Sequence, residues 1–272
     1  MSDFSLRAAL KLTGFDLKNN RRQIFGWSFA MFAIMFLYMI LFPSMQDMVK
    51  LKLDMMPKEL LQVFGMEEMT ELSNFANYFG MIFGIVLVAI CIFAVTFSAN
   101  LIYKEEKTKT IEFLYSLEVS RVDIFVSKLI TSFVALLAVL LSVAVSTAIC
   151  GAINGGKTFV MGDVMQIIKI SGFSAFFFAS AALLLAGVTA KIGVSTVGSM
   201  LVLVCYMLGY LSRLLSDKLG WLNNLSPFEV FSSEKALSLE RNTMIVFAVY
   251  FALMLVFLIV GGIAYKRRDF NI

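Results

Sequence analysis

Few residues in this sequence are of a type and spacing that could do chemistry. Histidine is absent, which removes the commonest general base, proton relay and metal ligand. The eight residues from Gly151 to Thr158 fit the phosphate-loop pattern GxxxxGK(S/T), in which backbone N–H groups and a lysine cradle the phosphates of a nucleotide. That chemistry needs a strand before the loop and a helix after it. Here the motif follows a long apolar run and leads into Phe159-Val160-Met161-Gly162-Asp163, so the sequence predicts a glycine-rich turn instead. Cys91, Cys150 and Cys205 each sit inside an apolar run without CxxC spacing and read as small buried hydrophobes. With no HExxH, no histidine partner for a serine and no paired aspartates within an apolar run, no catalytic, cofactor-binding or metal-binding residues are expected, and the chain is not expected to be an enzyme.

What remains is chemistry of a non-covalent kind, in Lys104 to Lys128, KEEKTKTIEFLYSLEVSRVDIFVSK. Its five basic and five acidic residues are interleaved with Ile111, Phe113, Leu114, Tyr115 and Leu117. The stretch is polar enough to stay in water and apolar enough to dock onto a partner. Thr110 to Leu117 can form about two helical turns, with Glu112 in the first turn where a carboxylate complements the helix dipole. Ser120-Arg121-Val122-Asp123 has the Ser-x-x-Asp spacing of a capping box and predicts the start of a new helix running through Lys128. The expected geometry is helix, sharp turn, helix. On the residues alone, a solvated loop with incidental capping is the alternative.

The elements that must position this hairpin are legible from composition. Of 272 residues, 60% are hydrophobic and 15% charged, against about 45–50% apolar and about 25% charged in soluble domains. The charges cluster and leave long apolar runs. A bilayer core about 30 Å thick needs roughly 20 apolar residues in a helix, and six uncharged runs satisfy this. The expected class is an all-α membrane protein with a single permease-like domain over 1–272. Its spans are expected at 24–43, 74–103, 129–153, 170–190, 192–212 and 243–265, joined by a hairpin at 104–128 and an external loop at 44–73. The fourth and fifth spans are separated by a very tight turn at Lys191-Ile192-Gly193. The first run is too long for a signal-peptide core and reads as a retained span. With both termini inside, 14 of the 23 basic residues but 8 of the 19 acidic ones fall on the inner side, so the positive-inside rule favours that topology. The +4 net charge is a matter of distribution across a bilayer, and no nucleic-acid partner is expected. Residues 2–23 place Leu6, Leu10, Thr13 and Leu17 on one stripe and Arg7, Lys11, Lys18 and Arg22 on a neighbouring one. That pattern predicts an interfacial helix lying along the inner leaflet; a solvated basic tail is the other reading.

The hairpin resembles that of ABC transporter permeases of the type-2 exporter family. There an acidic pair is followed by Gly-Thr, a Glu two residues on, Leu, then Pro-Val-Ser-Arg and a Lys at the mouth of the next helix. Glu105, Glu106, Thr110, Glu112, Leu114, Val119, Ser120, Arg121 and Lys128 stand in those places, while Lys109 occupies the usual Gly position and Glu118 the usual Pro position. Pro57 to Leu61 with Phe64-Gly65, Leu225-Ser226-Pro227-Phe228, and Phe270 in a basic tail resemble further parts of that family. The resemblance implies a permease subunit of an exporter, multi-pass in a cell membrane of the bacterial plasma-membrane type. It further implies that ATP and Mg²⁺ are bound by a separate cytosolic ATPase and that a second permease chain, identical or not, completes the path. The coupling interface it implies comprises Lys109, Thr110, Ile111, Glu112, Phe113, Leu114, Tyr115, Ser116, Glu118, Val119, Ser120 and Arg121, with Glu112 and Arg121 fixing the elbow.

Two further features carry expectations. Gly80-Met81-Ile82-Phe83-Gly84 allows close helix approach, within the chain or at a dimer seam. The loop 44–73 carries six acidic residues and is expected to form a small amphipathic helix near Pro57 to Phe64, as a lid or a gate. The alternative function is a secondary transporter or channel not coupled to ATP. That alternative needs ionisable groups within the spans, and the six apolar runs contain none.

Overall fold

The computed structural model describes residues 5–55, 74–107, 119–189, 193–214, 223–238 and 241–268. Regular structure among the described residues is helical throughout: α1 (Leu6–Ile40), α2 (Phe42–Met55), α3 (Phe75–Lys107), α4 (Arg121–Asn154), α5 (Met161–Val188), α6 (Gly193–Leu214), the short α7 (Pro227–Val230) and α8 (Ser233–Ser238), and α9 (Arg241–Arg267). Six of them, α1, α3, α4, α5, α6 and α9, are long and apolar enough to cross a bilayer. The protein is an all-α membrane protein.

Helix ends follow local chemistry. Pro43 has no N–H to give and would clash with the carbonyl of Met39. The chain accordingly breaks at Leu41, and Pro43 sits in the first turn of α2, where its missing donor costs nothing. Part of the loop expected at 44–73 is therefore helix α2; the amphipathic helix expected near Pro57 to Phe64 lies outside the described residues. At the far end of α4, Gly155 donates its N–H to Gly151 O, Gly156 takes φ +53°, and a 3₁₀ turn spans Gly156–Thr158. The phosphate-loop pattern is thus a helix end folded back on itself, with Phe159 packed so closely on Gly151 that a side chain there would overlap the ring. Residues 190–192 are outside the described set, but α5 ends at Val188 and α6 begins at Gly193, so the run around Lys191 is two helices, as expected.

The amino-terminal segment differs from expectation. Residues 6–23 do not form a helix of their own: α1 continues unbroken for 35 residues, about 52 Å at 1.5 Å per residue. Its partner is α4, and the two run parallel in a fixed register. Thr13 Oγ1 donates to Ser127 O (3.4 Å), Ser146 Oγ to Phe32 O (2.9 Å), Cys150 Sγ to Phe36 O (3.7 Å) and Asn154 Nδ2 to Ile40 O (3.4 Å), each across 114 residues. A constant separation over this length means that the amino-terminal segment extends alongside the start of α4 instead of lying off by itself. The bundle-facing stripe is Ala9, Thr13 and Asp16, while Leu6 and Leu10 are exposed.

Helices α3, α4 and α5 are half or more buried along their most apolar stretches, whereas α1, α6 and α9 are buried for only about a fifth of theirs. The main core runs along α3 and is rich in aromatics; Phe42, Phe75 and Phe159 stack in edge contacts at about 5 Å and fasten the end remote from both termini.

Candidate functional site

The stretch with docking chemistry is only partly within the described residues. Lys109, Thr110, Ile111, Glu112, Phe113, Leu114, Tyr115, Ser116 and Glu118 lie outside them; Val119, Ser120 and Arg121 lie inside, at the point where the hairpin enters α4. The expected capping box is present. Ser120 Oγ accepts from the Asp123 N–H (3.1 Å), and Asp123 Oδ2 accepts from the Ser120 N–H (3.0 Å). Two donors that α4 would otherwise leave unpaired are satisfied reciprocally.

The same residues tie in distant parts of the chain. The other oxygen of Asp123 accepts the backbone N–H of Ser5, the residue that precedes α1 (2.8 Å). One buried carboxylate thus holds the starts of α1 and α4 together. Arg121 Nη1 donates to the carbonyls of Lys266 (3.1 Å) and Arg268 (2.6 Å) at the end of α9, where helix carbonyls lack intrahelical partners and a cation complements the dipole. Arg268 in turn donates from Nη1 to Ala186 O near the end of α5 (3.3 Å). One turn deeper, Lys128 Nζ meets Asp16 Oδ2 at 2.8 Å with side chains only 3% and 8% exposed. A pair so enclosed depends on keeping both partners, because removing one strands a charge away from water.

Below these bonds lies a small apolar cluster. Ala99 and Ile102 of α3, Ile124 and Phe125 of α4, Leu183 and Ala186 of α5, Val194 of α6 and Tyr265 of α9 are buried in it, with Leu12 of α1 packed against them. All six long helices contribute. Within this region α5 and α9 approach backbone to backbone: a Cβ on Gly187 would sit 2.6 Å from Gly261 O. The start of α4 is therefore hydrogen-bonded to the start of α1 and the end of α9, and its Ile124 and Phe125 belong to one apolar cluster with residues of α3, α5, α6 and α9.

The family resemblance implies that Glu112 and Arg121 both help fix the elbow. Glu112 is outside the described residues, and the described bonds of Arg121 reach the carboxyl-terminal tail, 145 and 147 residues away. Asp16 escaped sequence reading altogether. Its signal was present as the only acid between Leu6 and Gln23, one turn beyond Thr13 in a stretch rich in basic residues. The apolar runs hold no ionisable group, but the bundle interior does: Asp16, Asp123 and Lys128 here, and Glu229 of α7.

Residues 11–266 match the family described as multidrug efflux system permease Rv1217c, C-terminal domain. The chain belongs to that family. No curated protein matches it. A multidrug efflux permease of this family is a transport subunit with a multi-pass membrane fold, and the six spans gathered at one node fit that description.

Proposed function

We propose that this permease is the membrane-spanning subunit of a type-2 ATP-binding-cassette exporter, driven at its basic face by a separate cytosolic ATPase. The observation that carries the proposal is the node at the start of α4, where Arg121 and Asp123 bond the hairpin's exit to the ends of α1 and α9. A hairpin pushed or pulled by a partner would transmit that displacement to all six spans. The face bearing this node also bears exposed Arg7, Lys11, Lys18, Arg21, Arg22, Lys266 and Arg267, which by the positive-inside rule makes it cytoplasmic. ATP and Mg²⁺ belong to the ATPase, and Thr110 to Ser116 is its docking segment. The broad exposed apolar faces of α6 and α9 leave room for lipid and for a second permease chain of the same or a related sequence.

Affinity purification of the chain, with mass spectrometry to detect any Walker-type ATPase that co-purifies, tests the docking directly. The wild-type chain is expected to retain the ATPase in detergent. A variant with Phe113, Leu114 and Tyr115 changed to Ser is expected to lose it while keeping its thermal unfolding temperature. Retention by that variant would show that the partner docks elsewhere.

A further inference from the structure

Between α6 and α9 the chain does not simply cross the outer surface. Ser226 Oγ donates to Cys205 O (2.8 Å), nine residues before the end of α6, and Ser174 Oγ to Pro227 O (3.4 Å), thirteen residues after the start of α5. At 1.5 Å per residue those partners lie about 14 and about 20 Å in from their helix ends. Pro227–Val230 therefore dips into the bundle, and all four of its residues are buried. Irregular backbone at such a depth is tolerated where it is enclosed by protein or lines a cavity. Both conditions hold here.

The cavity beside α7 has a volume of about 250 Å³ and is lined by Gly84, Ser171, Tyr206, Tyr210, Phe228 and Glu229 among others. Glu229 is 8% exposed, a carboxylate carried into the spanning region, where ionisable groups are costly and mark functional sites. Its Cγ and Oε1 sit over Gly209, where a Cβ would lie 3.0 Å and 3.2 Å from them, so the glycine makes room for this side chain. Tyr206 and Phe228 meet edge to face at 5.5 Å and form an aromatic corner next to it. Ser171 Oγ, buried in the same wall, has no hydrogen-bond partner among the described residues. At the mouth, Met81, Ile85 and Tyr210 are exposed, so the cavity opens sideways between α3 and α6 and not only outward. Gly80 serves the approach of α8, since a Cβ there would lie 2.5 Å from Ser233 Cβ, whereas Gly84 faces open space. The spacing of the two glycines thus seats a re-entrant segment at one position and leaves a void at the other.

We infer that this cavity binds the cationic group of an amphipathic molecule, with Glu229 opposing the charge and Tyr206 and Phe228 offering ring faces to it. A carboxylate beside aromatic rings in a desolvated wall is suited to an alkylammonium or other organic cation. The apolar mouth suits the remainder of such a molecule entering from the bilayer. That such a molecule is transported, and not merely bound, rests on the permease reading above.

Titrating the purified full chain in nanodiscs with tetraphenylphosphonium, and separately with neutral triphenylmethanol of similar size, tests the site without ATP or an ATPase. Failure of the exporter reading and failure of this one are thereby read separately. Wild type should bind the cation. Glu229→Gln should weaken that binding by about tenfold or more while changing the neutral ligand by no more than about twofold. Glu229→Asp should restore most of the cation affinity, and Gly84→Leu, which fills the void, should reduce both ligands. The inference is overturned if wild type does not bind tetraphenylphosphonium, if Glu229→Gln binds it as wild type does, or if that variant loses both ligands equally.

Discussion

Asp16 and Lys128 meet in a setting where neither has water to fall back on, and this makes their stability contribution conditional. Lys128→Met is expected to lower unfolding free energy by about 3–5 kcal/mol, because Asp16 is left as a buried uncompensated charge. The double variant with Asp16→Leu should recover most of that loss. Denaturant unfolding in detergent measures both, and a double variant no more stable than the single one would refute the argument. Asp123 is a second pivot. Asp123→Asn keeps an acceptor for Ser5 or for the cap but removes the charge, and about 0.5–2 kcal/mol of destabilisation is expected by the same measurement, the range found when helix caps are lost. These residues differ in how visible they are to sequence reading. The Ser120–Asp123 box spans four consecutive positions, so its geometry follows from spacing. The partners of Arg121 and Lys128 lie more than a hundred residues away, and only the tertiary fold brings them together.

At the scale of elements, two helix pairs carry the node. The parallel α1–α4 pair extends from the Ser5–Asp123 bond to the Asn154–Ile40 bond, and the α5–α9 pair touches backbone to backbone at Gly187 and Gly261. Gly187→Ala is expected to destabilise by about 1–3 kcal/mol through overpacking. Gly84→Ala, where a Cβ meets nothing, should be neutral or slightly stabilising because alanine favours helix. Thermal unfolding of the two variants in detergent checks the contrast, and equal effects would mean that the close approach is not a constraint. Six spans and the break near Lys191 were legible, since apolar runs and bilayer thickness are local quantities. The continuity of α1 was not. Its basic residues and leucine stripe fit an interfacial helix as well as they fit a helix leaning on α4, and the deciding residues, Thr13 and Asp16, reveal their role only beside Ser127 and Lys128.

For the whole molecule, α3, α4 and α5 form the more buried centre, and α1, α6 and α9 add apolar surface around it. Among the described residues, the buried charged groups collect at the basic face, as Asp16, Asp123 and Lys128, and at one cavity on the other side, as Glu229. Function was less legible than fold: the family match gives an efflux permease, and although Leu225 to Phe228 stood out in the sequence, nothing local in it shows that Pro227–Val230 is buried between helices beside a cavity. Reconstitution of the permease with the ATPase proposed to drive it in proteoliposomes, with accumulation of a fluorescent amphiphile followed over time, tests the central claim most directly. Transport is predicted to require ATP hydrolysis, to stop when the catalytic glutamate of the ATPase is replaced, and to fall on the order of tenfold with Arg121→Ala while hydrolysis continues. Transport that persists at an unchanged rate without ATP hydrolysis would contradict it.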